Sequence, residues 1–253
     1  MTNMPPTAAV LIIGNEILSG RTHDANLAFI AKKLSAHGIR MAEARVVPDI
    51  ENEIVAAVNA LRARYTYVFT TGGIGPTHDD ITADCIGKAF GVPVSEHPEA
   101  RARLLAHYTK TPINPARLRM ARIPEGAALI DNTVSSAPGF RLENVYVMAG
   151  VPNIMQAMLE AVLPTLQHGP AFISKSVSGF VAESLVAEEL RAIANHFPTL
   201  DIGSYPWERE GRWGTALVTR GTDPMLVETA ADEILALVKR HDPDPVVEIS
   251  KTG

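Results

Sequence analysis

The sequence predicts an α/β fold with a mostly parallel sheet, followed by a smaller α+β module. Three observations carry that prediction. Apolar runs alternate with amphipathic helical patterns from Ala8 onward. Glycine-rich turns stand at the strand-to-helix junctions. After His168-Gly169-Pro170 the order changes to β-α-β-β-α.

Ala8-Ala9-Val10-Leu11-Ile12-Ile13 is continuously apolar, as expected of a strand covered on both faces. A loop, Gly14-Asn15-Glu16-Ile17-Leu18-Ser19-Gly20, follows. Asp24 and Asn26 suit a helix start, with Leu27, Ile30, Ala31 and Leu34 on one face and Gly38 at the end. Met41 to Val47 reads as a strand, and Asp49 is placed to cap a helix whose apolar face is Ile54, Ala57, Val58 and Leu61. Tyr67-Val68-Phe69 is the third strand; the helix after it shows Ile86 and Phe90 at i, i+4 and stops at Gly91. Such alternation implies right-handed crossovers, with ligands bound beyond the carboxyl ends of the strands.

From Pro93 to Ala137 the pattern loosens around two short helical pieces, Pro98 to Tyr108 and Asn114 to Ala121, rich in arginine. One or two of these arginines can reach an anionic ligand, although solvated helix faces account for most such residues. Ala137-Pro138-Gly139-Phe140 enters a hairpin ending at Val145 to Met148; Ala149-Gly150-Val151-Pro152 leads into a helix with Met155, Met158, Leu159 and Val162 on one face. The expected domains are therefore 1–169 and 170–253. The second holds strands at Phe172 to Val177, near Ile202 and at Trp213 to Thr219. Its helices carry Val186, Leu190, Ile193 and Phe197, and start at Asp223-Pro224. A ferredoxin-like module fits that order.

Composition narrows the function. The 253 residues carry 46% hydrophobic content and a net charge of −5, with no Lys/Arg run to form a nucleic-acid footprint. A single cysteine, Cys85, excludes an internal disulfide and a cysteine zinc site, and reads as a small core residue. Met1 to Thr7 lacks the charged-then-apolar pattern of a signal peptide, and no apolar run reaches membrane-spanning length. A soluble, cytoplasmic protein is expected.

The chemistry concentrates in Thr70-Thr71-Gly72-Gly73-Ile74-Gly75-Pro76-Thr77-His78-Asp79-Asp80-Ile81-Thr82. Gly72, Gly73 and Gly75 let the backbone approach a ligand closely, and the next helix directs its amino end into the same space. A phosphate would be repelled by Asp79 and Asp80 unless a divalent cation lies between them. Position 78 is His and no Gly-Lys-Ser/Thr follows, so neither the dinucleotide fingerprint nor the nucleotide P-loop is met. The plainer reading is a Gly/Pro turn with Asp79, Asp80 or Thr82 as a helix cap.

Thr71-Gly72-Gly73-Ile74-Gly75-Pro76-Thr77-x-Asp79-Asp80-x-Thr82 resembles the signature of the MoaB/Mog molybdopterin-binding domain family, CinA-like branch, and is similar to the corresponding domain of FAD synthases. Gly14 to Gly20, Asp24-x-Asn26, Val47-Pro48-Asp49, Ala137 to Phe140 and Gly150-Val151-Pro152 match in order, and Ile202-Gly203-Ser204-Tyr205-Pro206 resembles the FAD synthase side. The resemblance implies a three-layer α/β/α fold with its pocket at the strand ends and a homo-oligomer, dimer or trimer. It implies phosphate binding by Thr71, Gly72, Gly73, Gly75, Pro76, Thr77 and Thr82, with Gly14, Gly139 and Gly150 at neighbouring turns. By the resemblance Asp80 is the functional Asp and Asp49 falls on a second functional acidic position; with Asp79 they make the expected catalytic set, and Asp80, with Glu16 or Asp49, is expected to hold a Mg- or Co-type metal. Asn15 departs from the Asp of many relatives, and Asn153-Ile154 from a Glu common after Gly-Val-Pro. The amidase domain that often follows in CinA is expected to be missing, because the sequence stops at Gly253.

Two functions remain open. One is metal-dependent hydrolysis of a nucleotide diphosphate of ADP-ribose or FAD type, with Asp79 or His78 taking the water's proton. The other is molybdopterin binding or adenylylation without hydrolysis.

Overall fold

The computed structural model describes residues 5–109 and 113–251; Met1 to Met4, part of the segment where no signal peptide is expected, lie outside that range. Two compact units emerge. One holds the residues up to Leu34 and Ile39–Gly169; the other holds Ser35–Gly38 and the residues from Pro170 onward.

The first unit contains, in chain order, β1 (Thr7–Ile13), α1 (Asn15–Leu18), α2 (Asn26–Ala36, all but its last two residues), β2 (Arg40–Val47), α3 (Glu51–Arg62), β3 (Tyr67–Thr71) and α4 (Thr82–Phe90). Then come β4 (Val94–Glu96), α5 (Pro98–His107), α6 (Pro115–Leu118), β5 (Arg122–Pro124), β6 (Ala128–Ile130), β7 (Gly139–Leu142), β8 (Val145–Met148) and α7 (Pro152–Val162). Its main sheet has the order β2-β1-β3-β8-β7-β6. The first four strands run parallel; β7 and β6 continue antiparallel.

The apolar run of β1 has a simple cause. Ala9, Leu11 and Ile13 enter a core with α3 and α4, whereas Ala8, Val10 and Ile12 enter another with α2 and α7. Both faces of the strand are covered, so no polar position is tolerated. Leu11 has no exposed surface, and truncating it to Ala would cost about 2–5 kcal/mol. Cys85 is buried in the α3–α4 layer, and burial pushes its thiol up to about 12, so it is a packing residue and not a nucleophile at neutral pH.

Local signals end the elements as expected in several places. Gly91 closes α4 in the left-handed region, φ 70°. The predicted piece Asn114 to Ala121 splits into the four-residue α6 and a 3-10 turn, Arg119–Ala121. Asp49 departs from expectation. Ile50 occupies the N-cap of α3 without a side-chain cap bond. The Asp49 carboxylate instead accepts the Asn15 amide at 2.9 Å, because the β1–α1 turn lies beside it in space.

The second unit contains β9 (Ile173–Gly179), α8 (Glu183–His196), β10 (Asp201–Arg209), β11 (Arg212–Gly221), α9 (Pro224–Lys239) and β12 (Val246–Lys251). Its antiparallel sheet has the order β10-β11-β9-β12. Asp223 caps α9, accepting the Met225 and Leu226 amides at 2.9 and 3.2 Å, with Pro224 at the first helical position. The sixth element, β12, extends the expected order to β-α-β-β-α-β, the ferredoxin-like arrangement. Its core joins Val177, Val186, Leu190, Leu217 and Ile234. Among the described residues, no helix is long and apolar enough to cross a membrane.

Candidate functional site

The carboxyl ends of β1, β3 and β8 are neighbours in the first unit's sheet, and the glycines that follow them meet there. The Gly72 amide donates to the Met148 carbonyl at 3.2 Å, joining the ends of β3 and β8. Gly72 has φ 102°, and a Cβ on it would strike the Ile13 carbonyl oxygen at the end of β1. Gly73 has φ 67°, and its Cβ would strike the Thr82 hydroxyl. Only glycine satisfies both demands at these two positions.

Thr82, the first residue of α4, is drawn into this turn. Its amide donates to the Gly73 carbonyl at 3.0 Å and its hydroxyl to the Gly72 carbonyl at 3.0 Å. Neither Asp79 nor Asp80 caps α4; the N-cap is Ile81, without a side-chain bond. The two carboxylates turn back to Thr77 instead. The Thr77 amide donates to Asp80 Oδ2 at 2.7 Å, and its hydroxyl lies 2.6 Å from both Asp80 Oδ2 and Asp79 Oδ1. One hydroxyl proton serves only one of them at a time. The Thr77 bond is the main reason that the Asp79 carboxyl titrates below its ordinary range.

A cavity of about 500 Å³ opens over the loop. It is lined by Gly72, Gly73, Ile74, Gly75, Pro76 and Asp80 of the loop, by Glu16 and Thr22, and by Gly150 to Pro152 at the start of α7. Met120, Ile154 and Met158 add an apolar side. Among the described residues, the amides of Gly73, Ile74 and Gly75 have no intramolecular acceptor, and all three residues are half-buried on the cavity. Lacking partners in the chain, they are free to bind a ligand's oxygens. At position 75 a side chain would press on the Asp80 carboxylate, so glycine there makes room for the acid.

The cavity thus gathers Gly72, Gly73, Gly75, Pro76, Gly150, Asp80 and Glu16 from the predicted set. Others lie off its wall. Thr71 is buried in β3 with an unpaired hydroxyl, Thr82 is spent on the turn, and Gly139 packs against the Val147 carbonyl. The Glu16 carboxylate covers Gly14. Thr77 and Asp79 sit on the exposed side of the loop, and the His78 side chain is 97% exposed. Asp49 holds Asn15 from behind. Thr22, Ile74, Met120 and Met158 line the cavity without having been singled out as site residues; a helical apolar stripe signals Met158 only as core. Asn26 does more than start α2: it is buried, and its Nδ2 donates to the Gly150 carbonyl at 2.8 Å.

A metal finds limited provision here. Among the described residues no three His, Cys, Asp or Glu side chains group closely enough to hold an ion. Asp80 and Glu16 are the two carboxylates that line the cavity.

Residues 9–168 match the family model described as "probable molybdopterin binding domain". The chain belongs to that family. Residues 171–245, beyond the molybdopterin-binding domain, match the middle domain of FAD synthase. A protein of Archaeoglobus fulgidus is 35% identical over 199 residues, spanning 78% of this chain and 84% of the relative. A CinA-like protein of Desulfosudis oleivorans is 36% identical over 209 residues, 78% of this chain and 51% of the relative. The crystal structure of the protein CinA from Thermoplasma acidophilum aligns with TM-score 0.60 and 35% identity, covering 64% of this chain and 99% of that one. The molybdopterin-binding domain of this chain is therefore CinA-like, in sequence and in fold.

Proposed function

We propose that the molybdopterin-binding domain holds a phosphate-bearing nucleotide on the Gly72–Gly75 loop and hydrolyses its diphosphate bond, of ADP-ribose or FAD type. One observation carries this reading: three successive partnerless amides, at Gly73, Ile74 and Gly75, line a cavity of about 500 Å³. That volume suits a nucleotide or a pterin. The amides would fix the diphosphate, while Met120, Ile154 and Met158 give an apolar wall for a flat ring. Asp80, steadied by the Thr77 amide, and Glu16 would hold a divalent ion. Such an ion, when bound, supplies charge neutralisation and a more acidic water. Asp79, with its lowered pKa, and His78, directed into solvent, are poorly suited to take the water's proton and receive no step.

A second reading, molybdopterin binding or adenylylation without hydrolysis, is favoured by the family match over residues 9–168. The similarity of residues 171–245 to FAD synthase leans towards the nucleotide. A cytoplasmic homo-dimer or homo-trimer belongs to the proposal, and light scattering would measure its mass.

The test is product analysis with ADP-ribose and FAD in the presence of Mg²⁺ or Co²⁺. Hydrolysis should stop on chelation and fall by roughly 100-fold or more in Asp80→Asn, as expected when transition-state charge stabilisation is lost. Undiminished turnover in that variant would remove Asp80 from the chemistry. Tight molybdopterin binding in calorimetry, with neither nucleotide cleaved, would select the second reading.

A further inference from the structure

The large cavity has an electrostatic peculiarity. Its wall carries the carboxylates of Glu16 and Asp80 and no lysine, arginine or histidine. An anionic ligand resting on the loop amides would face net negative charge. A smaller cavity shares Gly73, Ile74, Asp80 and Met120 with the first, and its lining adds two arginines, Arg119 and Arg122.

The two are not equivalent. Arg122 is committed to Asp84 of α4 through its guanidinium. The guanidinium of Arg119, exposed on the 3-10 turn, has no ion pair, hydrogen bond or ring contact among the described residues. Its neighbour Met120 borders both cavities, so the backbone carrying Arg119 lies at the edge of the binding space. A guanidinium left without a carboxylate, beside a loop of free amides, matches the planar bidentate geometry of a phosphate.

We infer that Arg119 binds the ligand's phosphate from the adjoining smaller cavity, and sets the preference for phosphate-bearing over uncharged ligands. This deepens the proposed function and rests on it. Arg122 is paired with Asp84 and offsets its charge, leaving Arg119 as the ligand's own counter-charge.

The experiment is calorimetric binding of ADP-ribose, inorganic pyrophosphate and adenosine to the full chain, with Arg119→Ala, Arg119→Lys and, as a control that lines neither cavity, Arg191→Ala. Arg119→Ala should weaken ADP-ribose and pyrophosphate by roughly 10- to 100-fold, the usual worth of a charge-assisted bond, and flatten the salt dependence. Adenosine affinity should stay within about twofold, Arg119→Lys should recover part of the loss, and Arg191→Ala should bind as wild type. Equal weakening of all three probes would mean that Arg119 only shapes the cavity, and would overturn the inference. Wild-type affinity in Arg119→Ala would overturn it too, while leaving the proposed binding of nucleotide intact. Absence of ADP-ribose and pyrophosphate binding by the wild-type chain would defeat the reading of the cavity itself, and this inference with it.

Discussion

The Thr82 hydroxyl donates to the Gly72 carbonyl across ten residues, at 3.0 Å, within a fully buried pair. That bond fixes where α4 begins relative to the end of β3, and therefore how the Gly73–Gly75 amides are presented. Thr82→Val keeps the shape and strands the carbonyl, so it should cost about 1–3 kcal/mol, whereas Thr82→Ser should cost under about 1 kcal/mol. Urea unfolding of the two variants would check the difference. Equal stability would show that water takes over the bond.

Two glycines with similar backbone angles separate strain from contact. Gly73 (φ 67°) faces the Thr82 hydroxyl, while Gly126 (φ 80°) has nothing within 4 Å of its would-be Cβ. Gly126→Ala should lose only the left-handed penalty, roughly 1–2 kcal/mol, and keep full ligand binding. Gly73→Ala should lose more and abolish binding, because the loop must move. Thermal melts with parallel calorimetry would reveal it; similar losses and retained binding in both would mean that the loop is not held as described.

How much of this was legible beforehand depends on how local each signal is. The run Ala8 to Ile13 announced a strand covered on both faces, because a single strand's burial writes itself into consecutive residues. The glycines at 72, 73 and 75 announced a close approach for the same reason: the chain must turn there whatever surrounds it. Asp49 was legible as an acid before a helix but not as the acceptor for Asn15, 34 residues away, since only the folded sheet brings them together. The strands β4, β5 and β6, of three residues each, are too short to show a period. The edge strand β12 follows Asp-Pro-Asp-Pro, whose turn character masks the apolar residues Val246, Val247 and Ile249. Met120 reaches the cavity from an irregular segment, where no sequence period records direction.

Acid and alkaline arms of stability should both depend on Tyr65. Its hydroxyl donates to Glu43 Oε2 at 2.5 Å, and Arg45 donates to Oε1 at 2.5 Å. The Tyr65 bond, then that of Arg45, holds the Glu43 carboxyl below its ordinary range, while the Glu43 bond raises the Tyr65 phenol. A lowered carboxyl contributes stability above its unfolded value, about 4.3, and loses it as pH falls through the lower folded value. A raised phenol contributes below about 10 and loses it as pH rises through the higher folded value. Tyr65→Phe should therefore reduce stability on the plateau between them and shallow both arms. Urea midpoints across the pH range would show it; parallel curves for the two proteins would deny the coupling.

Asp49 provides the sharpest division between a supporting and a reacting carboxylate. It stands off the cavity wall and accepts the Asn15 amide at 2.9 Å, while the Gly14 amide donates to the Val47 carbonyl at 3.2 Å. Those two bonds anchor the turn that carries Glu16 over the cavity. Asp49→Asn keeps an acceptor oxygen and should retain most of the activity, at a cost of about 1 kcal/mol for the lost charge assistance. Asp49→Ala frees the turn; it should lower kcat, since Glu16 is misplaced, and leave KM near wild type because the loop amides that grip the diphosphate are untouched. Were Asp49 instead part of the reaction, Asn and Ala would abolish kcat alike with KM unchanged, and the steady-state constants of the two variants decide between these outcomes.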